Sequence, residues 1–433
     1  MSCPLQRPKP CRLRPSPAFA VVVLAIAAAC AVRAGPLEAA SPAAHATEVD
    51  GRGATAETGL RERLEARART VPGTDTQYLV GASLQADAIA ARRRQDGDEQ
   101  DTLIVSATPF GAAPSAQRLS VRSSQLDWIS RTPLEGGPSV WTRLQANLFG
   151  PDGTTRPQLT QAWVRWGDTL LLGKTYSTFM DDAVLPATLD YNGPSGVTFV
   201  RQWLARVSLP VGGPVRVDAS VEEAQADGSA APGERVRVSG RASRPDLAAR
   251  LRVEGERTHA QLAVLSRRLD VEAQTGPEGA PTASAGRRVA GHGVSLSASV
   301  PTFGEDTLSG QWVRGDGVGR YFNDGVSATG AVLGTDLRVV PITLAGTTLY
   351  YRRVWADGLA STFGASRLRV EGDASLRAPA ALRSLTYASA NLVRRVAPTV
   401  FAGAELQWGE AVAVDGARAS TVRAQLSLRW LLF

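Results

Sequence analysis

Gln158 to Trp203 reads QLTQAWVRWGDTLLLGKTYSTFMDDAVLPATLDYNGPSGVTFVRQW, and the change of period inside it decides the fold. Up to Lys174 the residues alternate as paired strands do. Ala162, Val164 and Trp166 fall on one face and Gln161, Trp163 and Arg165 on the other, with Gly167-Asp168 as a tight turn. Period two then stops. From Thr175 to Gly196 the chain carries three Asp, two Pro and two Gly without sustained helical or strand period, which predicts a long ordered loop. Extended structure resumes over Val197–Arg206. A loop of this length between strands is usually functional.

Outward from this stretch the same alternation recurs. Ser139–Phe149 sets Val140, Thr142, Leu144, Ala146 and Leu148 against Trp141, Arg143, Gln145 and Asn147. Leu247–Val253 sets Leu247, Ala249, Leu251 and Val253 against Ala248, Arg250 and Arg252. From Gln77 onward such runs are separated by Gly, Pro and Asp clusters, the pattern of a transmembrane antiparallel β-barrel. Seventeen candidate strands can be counted, Ala328–Val340 among them. Closed bacterial barrels have even numbers, so one is split or one is missing. Ala226–Arg241 and Gln274–Arg287 read as outer loops; Val340-Pro341 and Val396-Ala397-Pro398 read as periplasmic turns.

Composition permits this. Hydrophobic residues make up 43% and aromatics 6%, and beyond residue 34 there is no apolar run long enough for a transmembrane helix. The formal charge of +7 suggests nucleic acid, but Arg7, Lys9, Arg12, Arg14 and Arg33 all lie in the first 34 residues. Those residues have the basic, apolar and small-residue parts of a secretory signal, ending Val32-x-Ala34. A rival cut, a poor lipoprotein box, lies at Cys30. Cleavage after Ala34 removes all three cysteines, Cys3, Cys11 and Cys30, and leaves 43 basic residues against 41 acidic ones. A nucleic-acid partner then has no support. Residues 35–76 read as a tether, with a helical possibility over Glu57–Arg69, and 77–433 as the barrel.

The stretch quoted above closely resembles the DcaP-like family of outer-membrane porins. The resemblance rests on Trp166-Gly167, Gly173, Thr175, Ser177–Asp181, Thr188–Asp190, Gly193-Pro194, Gly196 and Val200–Gln202. Pro245-Asp246-Leu247, Gly317-x-Gly319-Arg320-Tyr321, Tyr387–Leu392, Trp408-Gly409 and Asp415-Gly416 extend it. It implies a homotrimer of sixteen-stranded barrels that passes small anionic, dicarboxylate-like solutes. It also implies an outer-membrane location, with lipid, lipopolysaccharide and the barrel assembly machinery as partners.

Lys174, Asp181, Asp182, Asp190 and Arg201 border or occupy the loop and are the expected pore constriction; the alternative is that the carboxylates cap the loop's own amides. Arg143, Arg165, Arg201, Arg250, Arg252, Arg367, Arg369, Arg423 and Arg429 occupy lumen-side positions, either as an anion-attracting wall or as partners of neighbouring acids. On the last strand, Val422 to Trp430 alternates with Arg423 to Arg429, and Trp430 with the terminal Phe433 forms the expected assembly signal, although Leu431-Leu432 breaks the period.

No metal, cofactor or catalytic group is expected. Gly315-Asp-Gly-Val-Gly-Arg320 lacks a phosphate-loop lysine, His259 and His292 have no second ligand at metal spacing, and no G-x-S-x-G elbow exists. Two rivals stay open. One is a barrel with a plugged lumen that serves structure or adhesion. The other is a secreted soluble β-protein that binds polysaccharide through its nine tryptophans, many of which in the barrel reading lie near strand ends, as an aromatic girdle requires.

Overall fold

The computed structural model describes residues 64, 67–150, 153–225, 228–230, 237–241, 244–275, 283–325, 330–333 and 338–432. The signal segment, most of the tether and Phe433 lie outside them. Of the helical candidate Glu57–Arg69, Leu64, Arg67, Ala68 and Arg69 are described: Leu64 and Arg67 are helical, whereas Arg69 already belongs to a two-residue strand, Arg69–Thr70, paired with Gln77 and Tyr78.

The first eight wall strands are β1 (Gln77–Ala91), β2 (Ala116–Ser120 continued by Gln125–Leu134), β3 (Gly137–Phe149), β4 (Thr155–Trp166), β5 (Leu170–Tyr176), β6 (Arg201–Gly212), β7 (Val215–Glu222) and β8 (Arg237–Arg241 continued by Asp246–Glu254). They are followed by β9 (His259–Thr275), β10 (Ala283–Pro301), β11 (Thr307–Asp316) and β12 (Thr343–Ala356). The wall finishes with β13 (Leu359–Glu371), β14 (Leu382–Ala397), β15 (Val400–Ala413) and β16 (Arg418–Leu431). Each pairs antiparallel with the next, and β16 returns to β1 in register from Ser83↔Leu431 to Ala91↔Arg423. The sheet is thus a closed antiparallel barrel of sixteen strands with no free edge, which a lipid environment requires.

The extra strand expected over Ala328–Val340 is not a wall strand. Ala331–Leu333 is the middle of a small separate sheet, paired with Val339–Pro341 on one side and Gly228–Ala230 on the other. Val340-Pro341 therefore belongs to the long link 317–342, at the end opposite the short turns. Val396–Pro398 is a short turn as expected. All the short turns share one end with the chain's strand termini; long links such as 92–115, 177–200, 223–236 and 317–342 share the other, the asymmetry of outer-membrane barrels.

The wall is apolar outside and polar inside. Leu144, Leu172, Trp166, Leu296, Leu349 and Leu406 are exposed on the outward face, while Arg143, Gln145, Asn147, Gln161, Ser297 and Gln407 are buried on the lumen face. A soluble sandwich reverses this, so the alternation read from Ser139 to Phe149 is resolved in favour of lipid. Of the tryptophans, Trp166, Trp203, Trp312, Trp355, Trp408 and Trp430 are exposed. Trp166, Trp355 and Trp430 lie at the short-turn end of their strands, as a girdle requires. Trp141 and Trp163 depart from that expectation and point into the lumen.

The packed core lies within the lumen. Leu103 and Val105 from link 92–115, Phe179 from 177–200, and Val318, Tyr321 and Phe322 from 317–342 pack against inward Leu265, Leu344, Tyr350, Leu368, Leu385 and Tyr387. At the short-turn end a second cluster gathers Ile129, Trp141, Trp163, Leu171 and Leu204 around Leu64, which is wholly buried.

Candidate functional site

Link 177–200 leaves β5, crosses the barrel, and returns to β6. Its first tie is Glu222 of β7, which accepts from Ser177 Oγ at 2.6 Å and the Thr178 amide at 2.8 Å. The second is at β8–β10. There Asp181 accepts from Arg252 at 3.1 Å and from Ser297 Oγ at 2.5 Å, and pairs with His259 Nε2 at 2.8 Å. Asp181 also caps the amide of Ala183, opening the short 3-10 turn Asp182–Val184. The third tie is across the lumen at β14–β16. Asp190 accepts from Arg423 at 3.0 Å, and Glu405 accepts the amides of Leu189 at 2.7 Å and Asp190 at 3.2 Å.

The return path touches β11–β13. Thr198 meets Gln311, and Gly196 donates to Ser366 Oγ. A Cβ on Gly196 would stand 2.7 Å from the Arg367 carbonyl and one on Gly346 would stand 2.3 Å from the Gly196 carbonyl, so loop and wall approach too closely there for any side chain. Loop residues thus reach opposite walls, and the inward fold expected from the sequence is what the chain adopts.

Link 92–115 joins this crossing, an element the sequence reading passed over. Asp101 pairs with Arg118 and Arg122, each at 2.5 Å, while Thr102 Oγ1 and the Leu103 amide donate to Asp190. Link 317–342 closes the set. Asp324 accepts from Ser106 Oγ at 2.5 Å and from Ser195 Oγ at 3.1 Å, tying all three links at one carboxylate. The available signal was the run Asp96–Asp101, acidic and framed by strands, with Arg122 downstream to receive it.

Two carboxylates of the loop hold pKa values set by these contacts. Burial pushes Asp181 up, but His259, Arg252 and Ser297 outweigh it and keep its carboxyl well below the usual range. Asp182 is also pulled down; burial opposes this and Arg252 prevails. Burial raises Asp324 to about 6 despite the donors from Ser106 and Ser195.

The five expected constriction residues separate. Asp181 and Asp190 are fully buried anchors that also cap amides, Asp190 that of Gly193. Asp182 pairs with Arg252 at 3.0 Å and keeps partial exposure. Lys174 alternates with lumen-facing Thr175, lies opposite outward Trp203, and donates to the Leu159 carbonyl at 3.0 Å on the outside of the wall. Arg201 donates to Tyr176 and Tyr191 hydroxyls, its guanidinium 4.8 Å from the Phe199 ring centre. Lys174 and Arg201 therefore form no facing pair across a pore.

Among the wall arginines, Arg143, Arg165, Arg250, Arg252 and Arg423 are buried on the lumen side. Asp127 receives Arg143, Asp218 receives Arg250, and Asp190 receives Arg423. Arg165 lies over Trp141 and Trp163. Arg367 and Arg369 alternate with buried Ser366, Leu368 and Val370, so they face outward rather than into the lumen. Arg206, unremarked in the sequence, is buried and donates to Thr178 Oγ1 at 2.8 Å and the Tyr176 carbonyl rather than to a carboxylate. On the short-turn side of the crossing loop Arg143, Arg206, Arg250 and Arg252 line a cleft whose one acidic member is Asp182.

No protein-family model matches the chain, and no curated protein does. Solved structures do. The outer membrane channel DcaP of Acinetobacter baumannii superposes with a TM-score of 0.71 at 16% identity, over 84% of this chain and 99% of that one. The anion-selective porin from Comamonas acidovorans gives 0.52 at 10% identity, over 82% and 100%. OmpT, an outer membrane protein of Vibrio cholerae, gives 0.52 at 10% identity, over 84% and 100%. The barrel of this chain has the fold of the DcaP outer-membrane channel and of porins more widely.

Proposed function

We propose that the protein is an outer-membrane porin, a homotrimer that admits small hydrophilic solutes with a preference for anions, dicarboxylates among them. The observation that carries this is the cleft beneath the crossing loop, with four guanidinium groups and one carboxylate on its surface. At an effective dielectric of about 20, each arginine attracts an anion about 4 to 8 Å away by roughly 2 to 4 kcal/mol before its own partners are counted. Arg206 has no carboxylate hydrogen-bonded to it, though the nearby charges of Asp218, Glu222 and Asp182 offset part of its attraction. Asp218 shields Arg250, and Asp181 with Asp182 shields Arg252. Asp181, Asp182 and Asp190 then act chiefly by fixing where the loop crosses. Export by the signal segment and recognition of the last strand, with Trp430 and Phe433, by the assembly machinery complete the reading.

Support comes from the fold's company: the Comamonas protein is anion-selective, and OmpT is known in a trimer form. The second reading, a plugged barrel without conductance, is favoured by the packing of links 92–115, 177–200 and 317–342 into the lumen. Planar-bilayer recording of the purified full chain in a salt gradient separates the two. The porin reading expects unitary conductance and a reversal potential on the anion side, reduced by Arg206→Gln. Absence of conductance from folded protein supports the plug, and a cation-side potential removes the anion preference.

A further inference from the structure

We infer that the outward face of β8–β13 carries, at its loop end, a binding site for the phosphate groups of an outer-leaflet glycolipid such as lipopolysaccharide. This rests on the barrel spanning an outer membrane but not on its conducting anything.

The site follows from where the apolar band stops. Going toward the long links, the exposed apolar residues end at Leu247 on β8, Val264 on β9, Val294 on β10, Trp312 on β11, Leu349 on β12 and Phe363 on β13. The next charged outward positions are arginine on nearly every strand: Arg268 and Arg288 on β9 and β10, Arg314 on β11, and Arg367 with Arg369 on β13. Arg244, just before the main segment of β8, adds a sixth.

Register places these groups within reach of one another. Arg268 stands opposite Ala290 and Arg288 opposite Asp270, two residues on, a diagonal separation of roughly 7 to 8 Å. Arg314 and Arg369 both stand opposite Ala345, so they flank one small residue two strand spacings apart, about 10 Å. Arg244, Arg268 and Arg288 share a concavity floored by Leu247, Val289 and Ala290.

Six guanidinium groups face three outward carboxylates. Arg288 is 3.3 Å from Asp270, with Arg268 at 3.8 Å from the same acid, and Arg314 pairs with Glu371 at 2.8 Å. Asp316 is 3.3 Å from His292. Arg244, Arg367 and Arg369 have no carboxylate partner among the described residues. Cations directly above a lipid-facing apolar band, over an apolar floor, match an amphiphile with acyl chains below and phosphates at the interface. A free anion would use the guanidinium groups but not the band or the floor.

The test uses the full chain, refolded in detergent, and measures binding of lipopolysaccharide, its dephosphorylated form and inorganic phosphate. The wild type is expected to bind lipopolysaccharide, with dephosphorylation weakening it. The triple variant Arg268→Gln/Arg288→Gln/Arg314→Gln should bind on the order of tenfold more weakly or worse. Heat-modifiable gel mobility verifies folding, and the pair Arg268→Gln/Arg369→Gln provides a milder variant if the triple fails to fold. Equal binding by wild type and variants overturns the inference. So does binding of inorganic phosphate as strong as that of the lipid, or a change of oligomeric state in the variants, which would make this face a contact between copies. Bilayer conductance is recorded in parallel and should not change, so loss of conductance in the wild type counts against the porin reading alone.

Discussion

The wall and the links folded into it are built by opposite rules. In the wall every partner is a neighbouring strand, and period two suffices to orient each side chain. Inside the lumen the partners are far apart in sequence: Asp181 with Arg252 and Ser297, Asp190 with Arg423, Asp324 with Ser106 and Ser195. The wall is therefore robust to single changes, whereas the crossing depends on a few buried carboxylates. The difference is that a buried charge without its partner costs several kcal/mol, while one exposed apolar residue in lipid can be exchanged for another.

The sharpest way to break the comparison is at Asp190. Asp190→Ala leaves buried Arg423 without a carboxylate and orphans the Leu103 amide, so we expect a loss of about 3 to 5 kcal/mol. Asp181→Ala should cost less, because Arg252 keeps Asp182 and Glu254. Thermal or urea unfolding followed by gel mobility measures both. If the two lose the same, or neither loses anything, the links are not anchored as described.

Asp324 offers a pH-dependent contrast. With a folded pKa near 6 against an ordinary 3.8, the folded chain binds the proton more tightly than the unfolded one. Its stabilising contribution is fully present below about pH 4 and is lost as pH rises through 6. Asp324→Asn keeps an acceptor for the Ser106 amide without the buried charge. It should raise stability at pH 7.5 by roughly 1 to 3 kcal/mol and flatten the dependence between pH 4 and 7. A variant with the parent's pH profile assigns that dependence elsewhere.

Much of the wall was legible because alternation is local: Gln145 and Leu144 declare their faces with no knowledge of the partner strand. Strand number was less so, since Val332 and Val340 look like wall residues and differ only in pairing with each other. The path of link 177–200 into the lumen was visible in its length and charge. Its anchors were not, because Asp190 meets Arg423 only when the barrel is closed. Lys174 shows the limit most plainly. Its place at the border of the loop suggests a role in the constriction, but the alternation with Thr175 places it outside.

Smaller effects sharpen the picture at the two ends. Leu64 fills the space among Trp141, Trp163 and Leu204, so Leu64→Gln should release that segment and raise conductance modestly, with assembly intact. Unchanged single-channel current would mean that Leu64 does not obstruct the passage. Lys174→Gln should leave the reversal potential where it was, since its amine lies on the outer wall. A shift toward cations would return Lys174 to the pore.

The account turns on link 177–200 crossing and narrowing the lumen, and unitary conductance of a barrel lacking it tests that directly. Replacing residues 178–199 with a short Gly-Ser bridge should give a folded, heat-modifiable barrel whose single-channel conductance is severalfold that of the parent. A folded variant with the parent's conductance would show that the passage does not run past this link, and the central claim would fall.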